Sequence, residues 1–291
     1  MEVLKTLGSV NVLSYNVKEA LGDAPRAEGA VRLVEALDPG VAIFHSAYWT
    51  LSERDSPVLA ATVRRLGDLG YDVTVEDEGD TTDRADKTGF VGFTQANLGS
   101  GALMGAGTRQ GYLSTITPPG SDIEMLIGGL HATDTDEAAR LVQVAALPEG
   151  LDALLTDANA MHRGARIARV LRLLRPFTDR LPEYRDRDRD FRSTGGLNAR
   201  KEYMHLAQTL VWMANGDTLA KLERRLQMRD ADPGHQSTVH LGPIGFGQLD
   251  HIHVAPHIAV SDFTVHKDGD LSRVSDHWPL SATLRPQNQT A

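Results

Sequence analysis

Apolar and polar positions along the chain alternate with two different periods. Val10-Asn11-Val12-Leu13-Ser14-Tyr15-Asn16-Val17 alternates at period two and is rich in β-formers, which predicts a strand ending at Asn16. Arg26 to Leu37 places Ala30, Val31, Val34 and Leu37 at helical spacing, and Asp38-Pro39-Gly40 stops that helix. Val41-Ala42-Ile43-Phe44 reads as a buried strand followed by His45-Ser46. Ser56-Pro57 opens a second helix running to about Leu69, with Gly70 as its stop. Tyr71 to Val75 predicts a further strand, and the acidic tract Glu76 to Asp80 a solvated loop.

The same reading continues through the rest of the chain. Phe90-Val91-Gly92-Phe93 and Gly111 to Ile116 are expected as strands around a glycine-rich connection that lacks the spacing of a phosphate loop. Pro118 to Asp122 is a turn joining a hairpin whose second strand, Ile123 to Leu130, delivers His131 at its end. Thr133 to Leu147 has a Thr/Asp start and helical spacing, with Arg140 and Gln143 inside it. Leu154-Leu155 runs as a short apolar strand into Thr156-Asp157-Ala158-Asn159. Ala165 to Leu174 reads as a helix bearing Arg166, Arg169 and Arg172, and the Arg/Asp alternation from Arg185 to Asp190 as a solvated loop. Leu206 to Met213 and Leu219 to Met228 are expected as helices, Gln248 to Val254 and Ala259 to Val265 as strands. Ser275-Asp276-His277 precedes a closing strand from Trp278 to Leu284.

Composition narrows the class. The 291 residues suffice for one large core or two modest ones, and 41% hydrophobic with 24% charged residues is ordinary for a globular protein. The absence of cysteine excludes a disulfide framework, thiolate zinc and a cysteine nucleophile, and fits a reducing compartment. With no signal-peptide pattern at Met1-Glu2-Val3 and no apolar run of membrane-spanning length, a cytoplasmic location is expected, although secreted bacterial proteins also lack cysteine. A net charge of −9 makes the body a poor non-specific binder of nucleic acid, leaving room only for a locally basic groove.

Polar residues with chemistry collect at predicted strand ends: Asn16, His131, Asp157 with Asn159, Asp250, and Asp276 with His277. Residues i and i+2 of an extended segment share a face, so Asp157 and Asn159 point into one space, an acceptor and possible base beside a group that both donates and accepts. Taken singly each has an ordinary reading. Asp-x-Asn is turn chemistry, Asn16 a strand-end hydrogen bonder, His131 a satisfied edge histidine, and Asp250 a salt-bridge partner. His251, His253, His257 and His266 lack metal-ligand spacing and read as surface or packing residues.

Taken in order, Ser14-Tyr15-Asn16, Phe44-His45-Ser46, Leu130-His131-Ala132 with Arg140 to Gln143, Thr156-Asp157-Ala158-Asn159, Leu249-Asp250-His251-Ile252 and Ser275-Asp276-His277 resemble the landmarks of the endonuclease/exonuclease/phosphatase superfamily. Those metal-dependent phosphoesterases include deoxyribonuclease, abasic endonuclease and sphingomyelinase types, and Arg229-Asp230-Ala231-Asp232-Pro233 looks like an actinobacterial branch. The resemblance implies an α/β fold, a four-layer sandwich of two mostly antiparallel sheets. It implies one domain over 1–291, with a variable helical insertion about 163–243. It also implies hydrolysis of a phosphodiester or phosphomonoester by a monomeric enzyme. Asp157 would activate the attacking water and Asn159 fix geometry. Asp250 would support a protonated His277, His131 would be a second donor, and Asn16 and Asp276 would hold Mg²⁺ or Mn²⁺. Nucleic acid, nucleotide and phospholipid headgroup all remain open as substrate.

One position departs from the pattern. The family's metal-binding Glu aligns with Ser46 and its preceding Gln with His45. A hydroxyl is a far poorer magnesium ligand than a carboxylate. Three explanations stand side by side: a degenerate member, a substituting acid such as Glu19 or Glu76, or a deliberate replacement. The alternative function is therefore a catalytically impaired member that binds a phosphorylated ligand or a protein. The expectation for Ser46 itself is a place at the rim of the cleft near Asn16 and Asp276.

Overall fold

The computed structural model describes residues 8–18, 20–48, 54–77, 89–106, 109–132, 137–161, 217–241, 244–267 and 271–287. The helices predicted over 165–174 and 206–213, the Arg/Asp tract 185–190 and Glu19 lie outside the described residues.

Two six-stranded mixed sheets form the body. The first has the order β13-β14-β1-β2-β4-β3, with β1 at Val10–Asn16, β2 at Val41–Tyr48, β3 at Tyr71–Asp77, β4 at Gly89–Gln95, β13 at Ile258–Val265 and β14 at Leu280–Pro286. The second has the order β5-β6-β7-β8-β12-β9, with β5 at Gly99–Ala106, β6 at Arg109–Ile116, β7 at Met125–His131, β8 at Ala153–Asp157, β9 at Arg229–Asp230 and β12 at Asp250–Val254. A small ribbon of β10 (Val239–Leu241) and β11 (Ile244–Gly247) stands apart from both. Within each large sheet one pair is parallel, β1 with β2 and β7 with β8, and the remaining pairs are antiparallel.

Period-two alternation sorts the side chains into layers. Val10 and Val12 of β1, Val41 and Ile43 of β2, Met125 and Ile127 of β7, Leu155 of β8 and Ile252 of β12 meet between the sheets. The opposite faces of β1 and β2, through Leu13, Tyr15, Ala42 and Phe44, pack on α1 (Ala24–Leu37) and α2 (Pro57–Asp68). On the far side Leu130 and Leu154 pack on α3 (Glu137–Ala146) and α4 (Thr218–Leu226). Helix, sheet, sheet, helix is the four-layer sandwich expected. Asp23 and Ser56 cap α1 and α2 by accepting the N–H of Arg26 and Leu59 at 3.0 and 3.1 Å.

Several local expectations are corrected. The glycine-rich connection is itself a strand, β5, paired with β6 along its whole length. Glu76 belongs to edge strand β3, where it pairs with Arg54 at 3.9 Å, rather than to a loop; β4 separates that strand from β2 and Ser46. The strand predicted over Val41–Phe44 continues to Tyr48 through an irregularity between Phe44 and Tyr48. The closing strand begins at Leu280, because Trp278 donates its N–H at 2.6 Å to Thr238 beside the small ribbon. Arg140 and Gln143 are buried, and Arg140 binds Glu137 at 2.7 Å and Thr218 at 3.3 Å, tying α3 to the start of α4.

Candidate active site

The alternation that fills the inter-sheet core also delivers the polar residues. One step past the inward Val12 and Ser14 comes Asn16. In the same phase His131 ends β7, Asp157 ends β8 and Asp250 begins β12. Register aligns them: His131 lies opposite Asp157, and Asp157 opposite Asp250. Four strand ends thus open on one space between the sheets.

Asp157 is the centre and is almost fully buried. Its Oδ2 accepts Asn16 Nδ2 at 2.6 Å across the sheets, and its Oδ1 accepts the Asn159 N–H at 3.1 Å. His131 Nε2 lies 3.7 Å from Oδ2, an ion-pair distance beyond hydrogen-bond length. Asn159 takes a left-handed backbone, φ 46°, and donates Nδ2 to the Ala132 carbonyl at 2.8 Å. Its amide therefore steadies the end of β7 while its backbone N–H holds Asp157.

His277 Nδ1 meets Asp250 Oδ2 at 2.8 Å. Burial pushes the imidazole pKa down, but the Asp250 charge and hydrogen bond outweigh it, and the value rises to about 9. Asp250 is fixed in turn by Thr238, whose Oγ1 accepts the N–H groups of Leu249 and Asp250 at 3.0 and 3.1 Å. Ser275 Oγ donates to the Asn16 carbonyl at 2.7 Å and accepts the His277 N–H at 3.1 Å, joining the His277 loop to β1.

Ser46 sits in the irregular part of β2 with φ 48°, and its Oγ is 3.2 Å from His131 Nδ1. Strict alternation from Ile43 and His45 would turn residue 46 toward the helices; the left-handed backbone turns it to the second sheet instead. His45 is fully buried against Ser14 Oγ at 3.3 Å. Asp276 Oδ2 pairs with Lys18 Nζ, and its Oδ1 has no hydrogen-bond partner among the described residues. Burial would raise the Asp276 pKa, but the charges of His277 and then Lys18 hold it below the ordinary carboxylate range. Asn16, Ser46, His131, Asp157, Asn159, Asp250, Asp276 and His277 thus fall in one connected network, whereas Arg140 belongs to the contact between α3 and α4. Lys18 and Thr238 were not singled out. Lys18 stands two residues past Asn16, which was the signal for it; Thr238 carries none.

Two groups of atoms bear on a metal. A divalent cation on the oxygens of Asn16, Ser46 and Asp276 would meet one carboxylate and two neutral oxygens. Asn16 Oδ1 already accepts the Lys18 N–H at 2.9 Å, Ser46 is engaged with His131, and Asp276 holds an ammonium. A hard cation binds through several anionic or carbonyl oxygens, and this set does not fit it. Asp157, Asp250 and His277 offer donor atoms all within 4.8 Å of one another, a spacing that could hold a metal ion. In that group His277 Nδ1 is hydrogen-bonded to Asp250 Oδ2 at 2.8 Å, and Asp250 Oδ1 is buried without a hydrogen-bond partner among the described residues.

The described arrangement is the endonuclease/exonuclease/phosphatase fold. Solved structures with this fold include an endonuclease/exonuclease/phosphatase family protein from Bacteroides thetaiotaomicron, 14% identical over 95% of this chain and 97% of that one, with a TM-score of 0.57. The mannosyl-6-phosphatase of the same organism is 12% identical over 94% and 99%, with a TM-score of 0.56. The human Nocturnin catalytic domain, solved with bound sulfate, is 14% identical over 98% and 97%, with a TM-score of 0.57. No family model and no curated protein matches the sequence. Among the described residues no helix is long and apolar enough to cross a membrane.

Proposed function

We propose that the chain is a phosphoesterase that hydrolyses a phosphomonoester or phosphodiester by in-line attack of water. The observation that carries this reading is the buried Asp157 carboxylate, held at both oxygens within 4.8 Å of the Asp250–His277 pair. Asp157 orients the water and takes its proton as the oxygen bonds to phosphorus. His277, charged and braced by Asp250, donates Nε2–H to a phosphoryl oxygen that gains charge in the transition state. The bond from phosphorus to the leaving oxygen breaks, and His131 supplies the proton that oxygen needs. Asn16 and Asn159 keep Asp157 in place throughout. Every step uses a group of this chain. The structural neighbours, a mannosyl-6-phosphatase and an endonuclease/exonuclease/phosphatase family protein, support phosphate esters as the substrate class.

A second reading, a member that binds phosphorylated ligands without turnover, draws on Ser46, where the resemblance calls for a carboxylate. The two separate in one screen. Hydrolysis is assayed over single- and double-stranded DNA, RNA, nucleotides, sugar phosphates and phospholipid headgroups, with chelator and with Mg²⁺ or Mn²⁺. Asp157→Asn is expected to lower kcat by roughly 10²–10⁴-fold, the usual span for a general base, while KM moves little. A phosphate ester that binds to the wild type and is never cleaved establishes the second reading.

A further inference from the structure

We propose that the Lys18 ammonium stands where a divalent cation would otherwise supply positive charge, so that this site works without a divalent metal. The inference rests on the phosphoesterase reading above. It starts from the charge at the mouth of the cleft. Relative to a site with a carboxylate at position 46, Ser46 makes the site one unit more positive. Lys18 adds a second unit. Together they equal the charge of one divalent ion, and the ammonium sits on Asp276 Oδ2, one of the oxygens that ion would occupy. The Lys18 Nζ rests on Asp276, and the Lys18 backbone N–H rests on Asn16 Oδ1 at 2.9 Å.

Lys18 is built into this place. Its backbone is left-handed, φ 42°, in a residue that is not glycine, a conformation that needs support from its surroundings. Arg26 of α1 gives that support. Its Nη2 donates to the Lys18 carbonyl at 2.8 Å, and its Nε donates to the Val274 carbonyl at 2.7 Å. One guanidinium therefore joins the turn bearing Lys18 to the loop bearing Asp276 and His277. The Lys18 side chain remains 57% exposed, so it faces the side from which an anionic ester arrives. Asp276 Oδ2 carries the ammonium, while Asp276 Oδ1 is buried and has no hydrogen-bond partner among the described residues. An ammonium is a point charge with three donors, suited to serving a carboxylate and a phosphate oxygen together.

The experiment has two arms on the full chain. In calorimetry, Mn²⁺ is titrated into the wild type, Lys18→Ala and the double variant Lys18→Ala with Ser46→Glu. The wild type is expected to show no saturable binding up to about 1 mM, and the double variant to bind at least about tenfold more tightly. Micromolar Mn²⁺ binding by the wild type that Lys18→Ala leaves unchanged would overturn the proposal. In the second arm, hydrolysis of bis(p-nitrophenyl) phosphate and p-nitrophenyl phosphate is compared in EDTA and in Mn²⁺. Wild-type rates are expected to agree, Lys18→Ala to lose roughly 10²–10³-fold in kcat/KM, and Lys18→Arg to keep more of it than the alanine variant. Loss of wild-type hydrolysis in EDTA, restored by Mn²⁺, also overturns it. Should no ester be cleaved under any condition, the phosphoesterase reading fails, while the calorimetric arm still decides what Lys18 replaces. Circular dichroism shows whether each variant is folded.

Discussion

Thr238 decides more at this site than its side chain suggests. It is fully buried, and one hydroxyl oxygen accepts two backbone N–H groups, those of Leu249 and Asp250, where β12 begins. Thr238→Val keeps the shape and removes the acceptor. Two buried donors then lose their partner, at a cost of about 1–3 kcal/mol, which urea denaturation measures. Because Asp250 is re-aimed by the same loss, kcat is expected to fall together with stability. At this scale the sequence is legible only where a side chain does its own chemistry. Asn16, Asp157, Asp250 and His277 could be picked out because their types suit phosphate chemistry and end apolar runs. Thr238 acts through the backbone of another segment, and Lys18 is placed by a left-handed φ of 42°, which residue type does not encode.

At the scale of the element, the strands with alternating apolar positions were legible and the glycine-rich one was not. Glycine disfavours strands on propensity, so residues 94–110 read as a connection between the strands at 90–93 and 111–116. Close approach explains why glycine sits there. A Cβ on Gly101 would lie 2.4 Å from Tyr112 Oη, and one on Gly92 of the facing sheet would lie 2.3 Å from Tyr112 Cγ. The Tyr112 ring fills the space both glycines leave, and its hydroxyl meets Thr94 Oγ1 at 2.7 Å across the sheets. Gly92→Ala clashes with the root of the ring, which cannot swing away as a flexible tip would. The variant is expected to lose about 1–3 kcal/mol, the range for overpacking a core, read as a lower denaturation midpoint at unchanged m-value. Since Gly92 lies away from the cleft, kcat at a temperature where the variant is folded should match the wild type.

At the scale of the whole molecule, β12 carries chemistry on both faces. Its inward residue Asp250 serves the cleft. Its outward residues His251 and His253 are fully buried on the opposite face of the sheet, with His253 Nδ1 3.9 Å from Glu223 of α4. His251 Nδ1 meets Asp230 Oδ2 at 2.8 Å and its Nε2 meets the Ala160 carbonyl at 3.1 Å, so this pair ties β9 and β12 to the segment that follows Asn159. The surface-or-packing reading of His251 is thereby replaced by a buried ion pair, which spacing along one strand could not reveal because Asp230 lies 21 residues away. Burial alone would raise the Asp230 pKa, but the charge and hydrogen bond of His251 bring it from 3.8 down to about 2. Between those two values the unfolded chain takes up a proton that the native chain does not, so stability falls as pH falls through that window and is fully present above it. The contribution is about 2 kcal/mol. Asp230→Asn should therefore be less stable than the wild type at pH 6 by at least about that amount, since His251 also loses its counter-charge. The gap should narrow as pH drops from about 4 to about 2, where Asp230 becomes protonated in the wild type too. Chemical denaturation of both forms at a series of pH values measures the gap. A difference that stays constant down to pH 2 would mean that Asp230 does not gain its stability from ionisation, and that the contact with His251 is held as a neutral hydrogen bond.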